Sequence, residues 1–343
     1  MKIINAEQVE QQLSFDVLIE ELKQGFSRSF TMPQRQSYIL AERTLEEKAL
    51  AANTCGAKEL APEGKHCRDG LALLPAWNDE VIATKVFTYF PDNGKNHQLP
   101  SLFSKILLFS RQSGEPLALL DGTSITYWRT AAVSALASSL LSRENSRHLL
   151  LFGTGQLAPY LLHAHLSRRK LNRVTLWGRN TAKVQAQLKA FSPLYPEVAF
   201  HASEKLNQEI PTADIICCAT GAKSPLFDGK WLTAGTHIDC LGNHLQDARE
   251  CDSTTISRAR VYVDSLSNCL AEAGELLIPI KEGSFKAKEI IGELAGICSR
   301  ETILRQTAEE ITLFKSVGTA LSDLLCANLV YQKVQKDAGK HHS

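Results

Sequence analysis

A glycine turn at residues 153–158 constrains the fold of this chain more strongly than any other part of its sequence. The apolar residues 149–152 precede Gly153 and Gly155, and apolar side chains recur at helical spacing over 157–166. A strand that enters a G-x-G-x-x-A turn and leaves it as a helix is typical of dinucleotide-binding folds. Gly155 lets the backbone approach a pyrophosphate, and the helix N-terminus offers it free N–H groups. The predicted cofactor-binding residues of this turn are Gly153, Thr154, Gly155, Gln156 and Leu157.

The alternation of strand and helix continues through the middle of the chain. Strands are predicted at 149–152, 173–177, 198–201, 214–219, 236–241 and 260–263, and helices at 157–166 and 181–191. Strands that alternate with helices predict a doubly wound parallel sheet, which is the Rossmann type of α/β fold.

The first part of the chain has a different pattern. Its apolar spacing predicts one helix over 7–30 and strands at 36–40, 71–75, 81–88, 102–110 and 117–120. A helix on a mostly antiparallel sheet is an α+β arrangement. Residues 41–70 lack a sustained apolar pattern and are predicted to be an excursion between two strands. An Ala-rich helix is predicted over 126–141, and the polar tail beyond 332 is expected to fray.

The tip of the second strand of the parallel sheet indicates which nicotinamide cofactor binds. NAD sites usually place an acid about 20 residues after the glycine turn, where it holds the ribose diol. Residues 176–181 carry no acid. Arg179 can pair with a 2′-phosphate, with hydrogen bonds from Asn180 and Thr181, so the sequence favours NADP(H), with NAD(H) as the alternative. At a later strand end, Thr220 either lines the ribose and nicotinamide or makes a simple turn.

Charge and composition exclude several other classes of protein. The 343-residue chain has 38 Lys and Arg against 37 Asp and Glu, so no global field attracts nucleic acid or an anionic membrane. It has no apolar run of about 18 residues and no apolar leader, so we expect no membrane segment and a cytoplasmic location. The nine cysteines form no C-x-x-C pair and are expected to be reduced. His163 and His165 would point to different faces of a helix, so no metal site is predicted.

Three motifs in order along the chain resemble the ornithine cyclodeaminase/mu-crystallin family. They are residues 121–132 (Asp-Gly-Thr-Ser-Ile-Thr-Tyr-Trp-Arg-Thr-Ala-Ala), the glycine turn, and residues 312–318 (Thr-Leu-Phe-Lys-Ser-Val-Gly). The resemblance implies a Rossmann-type domain (128–317) inserted into an α+β substrate-binding and dimerisation domain (1–127 plus 318–343). It also implies a homodimer and a small α-amino or α-imino acid substrate.

Three basic residues match the positions at which this family binds the substrate carboxylate: Arg35, Lys85 and Arg129. A lone basic residue is more often a surface residue with a buried stem. However, Lys85 interrupts a strand of apolar and β-branched residues, and Arg129 is predicted to begin a small apolar helix. A buried carboxylate must be paired, and arginine suits that geometry.

One position departs from the family pattern and bears on the reaction. Cyclodeaminases and several relatives carry an aspartate after the fifth strand of the parallel sheet, and His244 stands there in this chain. An imidazole does not hold an ammonium as a carboxylate does, so the departure favours a reductase of a cyclic imine. Otherwise His244 only caps a loop, and Asp239 or Asp247 takes the acidic role. The resemblance also implies that Lys315, Val317 and Gly318 belong to a loop over the nicotinamide.

The predicted reaction is NAD(P)H-dependent reduction of Δ1-pyrroline-2-carboxylate to L-proline, or of its six-membered homologue Δ1-piperideine-2-carboxylate to L-pipecolate. Lys85 or His244 would be the proton donor. Two alternatives stay open at this point. One is an ornithine or lysine cyclodeaminase, or an enzyme like alanine dehydrogenase. The other is a non-catalytic NADPH-binding protein like mu-crystallin.

Overall fold

The computed structural model describes residues 1–43, 67–203 and 205–340, and these form two β-sheets. Most of the predicted excursion at 41–70 lies outside the described residues. The described residues at its two ends, 41–43 and 67–70, belong to strands. These two strands are therefore longer than the predicted strands at 36–40 and 71–75.

The first sheet is six-stranded, in the order β1-β6-β5-β4-β3-β2. Its strands are β1 (Lys2–Ile4), β2 (Gln36–Arg43), β3 (Cys67–Trp77), β4 (Val81–Tyr89), β5 (Leu102–Ser110) and β6 (Pro116–Asp121). The helices of this part are α1 (Ala6–Gln12), α2 (Phe15–Phe26) and α3 (Asn93–Asn96). Strand β1 was not predicted and pairs parallel to β6, whereas the other neighbours are antiparallel.

The single helix predicted over 7–30 is wrong, because the chain forms α1 and α2 with a break between them. The backbone is extended at Leu13 and Ser14, where the first helix ends and the second begins. The apolar spacing continues across the break, since both helices turn apolar side chains to the same core.

The inner face of the first sheet is set by strict alternation along its central strands. Val81, Ala83 and Lys85 of β4 are buried, and the residues between them are less so. Lys85 lies opposite Leu74 of β3 and Ile106 of β5. The alternation therefore points a lysine inward among apolar neighbours.

The second sheet is eight-stranded and entirely parallel, in the order β13-β12-β14-β11-β10-β7-β8-β9. Its strands are β7 (His148–Phe152), β8 (Arg173–Trp177), β9 (Ala199–Ala202), β10 (Ile215–Cys218), β11 (His237–Cys240), β12 (Arg260–Val263), β13 (Gly292–Glu293) and β14 (Thr312–Lys315). The helices that follow the first sheet are α4 (Gly122–Leu141), α5 (Leu157–Arg168), α6 (Thr181–Phe191), α7 (Leu206–Glu209), α8 (Ser253–Arg258), α9 (Leu266–Glu272), α10 (Gly274–Glu282), α11 (Leu294–Ser299) and α12 (Ala320–Lys340). The predicted α/β class with a Rossmann-type sheet is confirmed, and the strand order reverses between β7 and β10, where such folds bind ligands.

Two helices differ from their predicted bounds. Helix α4 begins at Gly122, four residues early, because the Asp121 carboxylate accepts a hydrogen bond from Ser124 N at 2.9 Å and caps it. Arg129 therefore lies inside the helix and does not begin it. The fraying predicted beyond 332 is wrong, since α12 continues to Lys340. Lys333 Nζ donates to Gln12 O at 2.7 Å, and contacts of this kind with α1 hold the polar end of the helix.

The predicted domain boundary at 127/128 falls within α4, which packs against elements of both sheets. That division stays a prediction. The cysteines from Cys217 to Cys326 are free and buried. Among the described residues, no helix has the length and apolar character needed to cross a bilayer. The cytoplasmic location stays a prediction.

Candidate active site

A cleft of about 1270 Å³ lies between the inner face of the first sheet and the carboxyl ends of the parallel strands. Residues that follow β10, β11 and β14 line one wall, and the inner face of β4 with helix α4 lines the other. Predicted site residues that line the cleft are Arg35, Lys85, Arg129, Leu157, Thr220, His244, Val317 and Gly318. The structure thus brings together side chains that are distant in the sequence.

The glycine turn has the geometry that a dinucleotide requires. Gly153 has φ +121°, and a Cβ there would lie 2.5 Å from Ala219 O. A Cβ on Gly155 would meet no atom within 4 Å, so open space lies above this backbone. Gln156 stands at the N-cap of α5 without a side-chain hydrogen bond to it. Open space over an uncapped helix N-terminus fits the pyrophosphate of the predicted cofactor.

The tip of β8 lies directly beside the glycine turn. A Cβ on Gly178 would lie 2.8 Å from the Thr154 side chain. The next residue, Arg179, is exposed, and Thr181 begins α6. The Asn180 side chain accepts a hydrogen bond from Lys183 N at 3.0 Å, so it caps this helix as well as facing solvent.

Lys85 and Arg129 meet at one buried carboxylate that the sequence did not single out. Lys85 Nζ lies 3.1 Å from Asp323 Oδ1 and donates to Thr126 Oγ1 at 2.6 Å. Arg129 Nε donates to the same Asp323 oxygen at 3.0 Å. Thr126 and Arg129 lie on adjacent turns of α4, and Asp323 lies in the first turn of α12.

Arg35, the third basic residue, spans the cleft from the segment before β2. Its Nη2 donates to Gly318 O at 2.7 Å, and its Nη1 lies 3.2 Å from Glu272 Oε2 of α9. We call Arg35, Lys85 and Arg129 the basic cluster. Among the described residues, the ion pairs of these three cations are with two carboxylates, Asp323 and Glu272, so the paired group carries one positive charge in excess.

The titration of the two predicted proton donors differs. Burial lowers the pKa of Lys85 and Asp323 raises it, while the neighbouring Arg129 and Arg35 lower it, and together these effects bring it to about 8. Lys85 therefore stays mostly protonated at neutral pH. The cleft walls desolvate His244 and lower its pKa, and the positive charges of Lys315 and Arg35 add to this effect. Its imidazole is therefore neutral at the same pH.

His244 lies on the loop after β11, with its side chain open to the cleft. A buried acid holds the base of this loop. Glu250 accepts hydrogen bonds from Gly242 N at 2.7 Å and from both N and Oγ1 of Thr220, at 2.6 and 2.8 Å. The Thr220 hydroxyl is thus engaged by the protein itself while the residue lines the cleft.

Lys315 is placed differently from Val317 and Gly318. It is the last residue of β14, it is fully buried, and it does not line the cleft. Its Nζ lies 2.9 Å from Glu275 Oε2 and donates to Asn243 O at 2.6 Å. Burial alone would lower the pKa of Lys315, but the negative charges of Glu275, Glu250 and Cys240 together outweigh burial and raise it. Lys315 supports the loop that carries His244, and a direct cofactor contact stays a prediction.

The loop after β14 is held by Asp264, another acid that the sequence analysis missed. Its Oδ2 accepts hydrogen bonds from Ser316 Oγ at 2.7 Å, Val317 N at 3.0 Å and Gly318 N at 2.7 Å. Gly318 has φ +87°, and a Cβ there would lie 3.0 Å from Arg129 Nη1. The loop can press against the guanidinium only because this residue is glycine.

One buried cluster outside the cleft offers donor atoms of the kind that bind metals. Among the described residues, His165, Cys217 and Asp239 place such atoms within 4.8 Å of one another. Ser134 Oγ lies 3.0 Å from His165 Nε2 and donates to Asp239 Oδ2 at 2.8 Å. Hydrogen bonding across the sheet and two helices accounts for this arrangement.

Comparisons with known proteins show the family of the chain. The family model of the ornithine cyclodeaminase/mu-crystallin family matches residues 36–338. The Δ1-pyrroline-2-carboxylate reductase of Colwellia psychrerythraea is 61% identical over 334 residues, which are 97% of this chain and 99% of that protein. The structure of Thermococcus litoralis Δ1-pyrroline-2-carboxylate reductase with NADH and L-proline has a TM-score of 0.86 at 30% identity and covers 98% of each chain. An archaeal alanine dehydrogenase dimer with bound NAD has a TM-score of 0.85 at 20% identity, covers 98% of this chain and 97% of that one, and shares the fold. The chain therefore belongs to the ornithine cyclodeaminase/mu-crystallin family.

Proposed function

We propose that this protein reduces Δ1-pyrroline-2-carboxylate to L-proline, with its six-membered homologue as a second substrate. The observation that carries the proposal is the basic cluster, in which three cations and two carboxylates leave one positive charge beside the strand ends. A substrate with a single carboxylate neutralises that excess. The 61% identical reductase of Colwellia psychrerythraea supports the same reaction.

The chain binds and orients the substrate through the basic cluster. Arg129 keeps its Nε on Asp323, so its terminal nitrogens stay free to grip a carboxylate in the bidentate manner that arginine favours. Arg35 has a competing partner in Glu272 at 3.2 Å and can exchange that acid for the substrate carboxylate. When bound, the nicotinamide dinucleotide supplies the hydride.

Lys85 is the better candidate for the proton donor. A donor must carry its proton at the working pH, and a pKa of about 8 meets that requirement. His244 is neutral at pH 7, because its pKa is lowered, so it suits a role in shaping the cleft. Thr126 fixes the Lys85 ammonium at 2.6 Å, which keeps the proton at one place in the cleft.

We also propose that NADPH is preferred to NADH. Arg179 is exposed at the tip of β8, beside the glycine turn, and no acid stands there to hold a ribose diol. An exposed guanidinium at this position suits a 2′-phosphate. The relative from Thermococcus litoralis is described with NADH, so both nucleotides must be compared in one assay.

The outer face of the first sheet supports a homodimer. Tyr38, Val86 and Phe103 point away from the core and are 50%, 37% and 45% exposed. Tyr38 and Phe103 belong to one cross-strand row with Leu71 and Thr88. Exposed apolar side chains that share one face of a sheet are typical of an interface. Sedimentation equilibrium of wild type and Phe103→Glu tests it, and an unchanged dimer in the variant would place the interface elsewhere.

Steady-state kinetics test the proposed reaction. Purified protein is given Δ1-pyrroline-2-carboxylate with NADPH or NADH, and the loss of reduced-nicotinamide absorbance is followed. Oxidation that depends on the imine supports the proposal. Ammonia release from ornithine with no net absorbance change would instead identify a cyclodeaminase. Tight nucleotide binding without turnover of any imino or amino acid would identify a binding protein.

A further inference from the structure

One carboxylate oxygen joins the two most buried members of the basic cluster. Asp323 Oδ1 lies 3.1 Å from Lys85 Nζ and 3.0 Å from Arg129 Nε. The Asp323 side chain is 2% exposed and does not line the cleft. Within the described part of the chain, its second oxygen, Oδ2, has no hydrogen-bond partner. The acid is therefore separated from the cleft, and it contacts Lys85 and Arg129, which line the cleft.

The surroundings of Lys85 show why this acid is needed. Asp323 approaches it from α12, Arg129 and Thr126 approach from α4, and Arg35 approaches from the segment before β2. Burial and the two arginines favour the neutral amine, whereas Asp323 favours the ammonium. Two buried cations side by side repel each other, and an acid between them offsets that repulsion.

Asp323 also fixes the direction of the Arg129 guanidinium. Because Asp323 accepts from Nε, the two terminal nitrogens remain available at the end of the guanidinium. These nitrogens lie against Gly318, where a Cβ would be 3.0 Å from Nη1 and 3.2 Å from Nη2. The guanidinium is thus held between an acid behind it and a glycine loop in front.

We propose that Asp323 is a positioning residue for the reduction, which keeps Lys85 protonated and turns the terminal nitrogens of Arg129 toward the substrate carboxylate. This inference rests on the proposed function, since it assigns a role within the same site. Without the acid, Lys85 loses its proton at a lower pH. Imine reduction then fails at a lower pH as well, because the neutral amine has no proton to donate.

The first test compares wild type with Asp323→Asn, which keeps the shape and removes the charge. The control is Ser322→Ala, at a neighbouring buried residue that bonds to Thr319. We measure kcat/KM for the cyclic imine from about pH 6 to about pH 9.5. In Asp323→Asn, the decrease of kcat/KM at high pH should begin at least about one pH unit lower than in wild type. At pH values above both midpoints, this shift corresponds to a tenfold lower kcat/KM. In Ser322→Ala, kcat/KM should decrease at the same pH as in wild type.

The second test does not need turnover. Calorimetry in buffers of different ionisation enthalpy measures the protons taken up when pyrrole-2-carboxylate, a planar carboxylate probe, binds to the nucleotide-free protein. Binding an anion protonates the fraction of Lys85 that is neutral, so uptake should begin at a lower pH in Asp323→Asn than in wild type.

Several outcomes would overturn the inference. Unchanged pH profiles and unchanged proton uptake would show that Asp323 does not set the Lys85 proton. An equal loss of kcat/KM at every pH, together with a lower melting temperature, would reduce Asp323 to a structural residue. If Asp323→Asn does not fold, Asp323→Ser is tested in its place, and we expect the same shifts to lower pH. If neither variant folds, Asp323 is a structural residue. Wild-type protein inactive on every cyclic imine would refute the proposed function alone, because the uptake measurement still decides the role of Asp323.

Discussion

Replacing Arg129 by alanine tests the basic cluster most directly. Its Nε is engaged by Asp323 at 3.0 Å, which leaves the terminal nitrogens for the substrate. Hydrogen bonds between charged partners are worth about 1.5–3 kcal/mol each, so two contribute about 3–6 kcal/mol. Because each 1.4 kcal/mol is a factor of ten, kcat/KM for the cyclic imine should fall roughly 10²- to 10⁴-fold. Asp323 keeps its ion pair with Lys85, so the variant should fold.

Two measurements on the same protein decide this prediction. Imine reduction is followed by absorbance, and nucleotide binding is followed by calorimetry. The predicted phosphate contacts come from the turn between β7 and α5, so the Kd for the nucleotide should change by less than about threefold. The matched control is Arg111→Ala, which removes an exposed arginine just after β5 and should behave as wild type. Wild-type kcat/KM in Arg129→Ala would show that the carboxylate binds elsewhere, and a parallel loss of nucleotide binding would show a general defect of the fold.

Three further predictions concern the glycine turn, the tip of β8 and the loop after β11. Gly153→Ala should lower the free energy of unfolding by at least ~2 kcal/mol, because its Cβ would lie 2.5 Å from Ala219 O at φ +121°. The Cβ of Gly155→Ala would meet no atom within 4 Å, so this variant should keep the wild-type melting temperature and bind the nucleotide about tenfold more weakly. Equal melting temperatures for the two would contradict this. Arg179→Ala should raise the KM for NADPH by roughly 10- to 100-fold and leave that for NADH unchanged, and equal effects on both would remove the proposed phosphate contact. His244→Asn should keep kcat within about tenfold of wild type, since the neutral imidazole is not the main proton donor; a loss as large as that of Lys85→Gln would reverse this assignment.

Most strands of both sheets could be predicted because their signals are local, whereas the short strands β1, β13 and β14 were not predicted. Strands β5, β8 and β12 have the predicted bounds, since each is a short apolar run ended by turn residues. The inward direction of Lys85 also follows from period-two alternation along β4. Strand β1 escaped prediction because Lys2–Ile4 is too short to show a period, and its pairing with β6 lies more than a hundred residues away in the chain.

The acids of the site escaped prediction for a related reason. Lys85 and Asp323 are 238 positions apart, and Arg35 and Glu272 are also brought together only by the fold. A pattern on one helix does not show which acid will face a lysine on a distant strand. Asp323 lies in the first turn of α12. A solvated acid is common at that position, because it stabilises the helix through its interaction with the helix dipole. Its burial between two cations becomes visible only in three dimensions.

Electrostatics nevertheless made such acids necessary once three cations were assigned to one cleft. An unpaired buried cation costs several kcal/mol, and the repulsion among three adds to that cost. A protein that buries Lys85 and Arg129 beside the half-buried Arg35 must therefore supply counter-ions, but fewer than the cations if an anionic substrate is still to bind. Asp323 and Glu272 meet this condition in different ways. The first is buried behind the cluster and stays with Lys85 and Arg129, whereas the second lies at the partly exposed Arg35 and can be displaced. In the proposed function, the single excess charge matches one substrate carboxylate, and the placement of the acids makes Arg35 the member of the cluster that we expect to change partner.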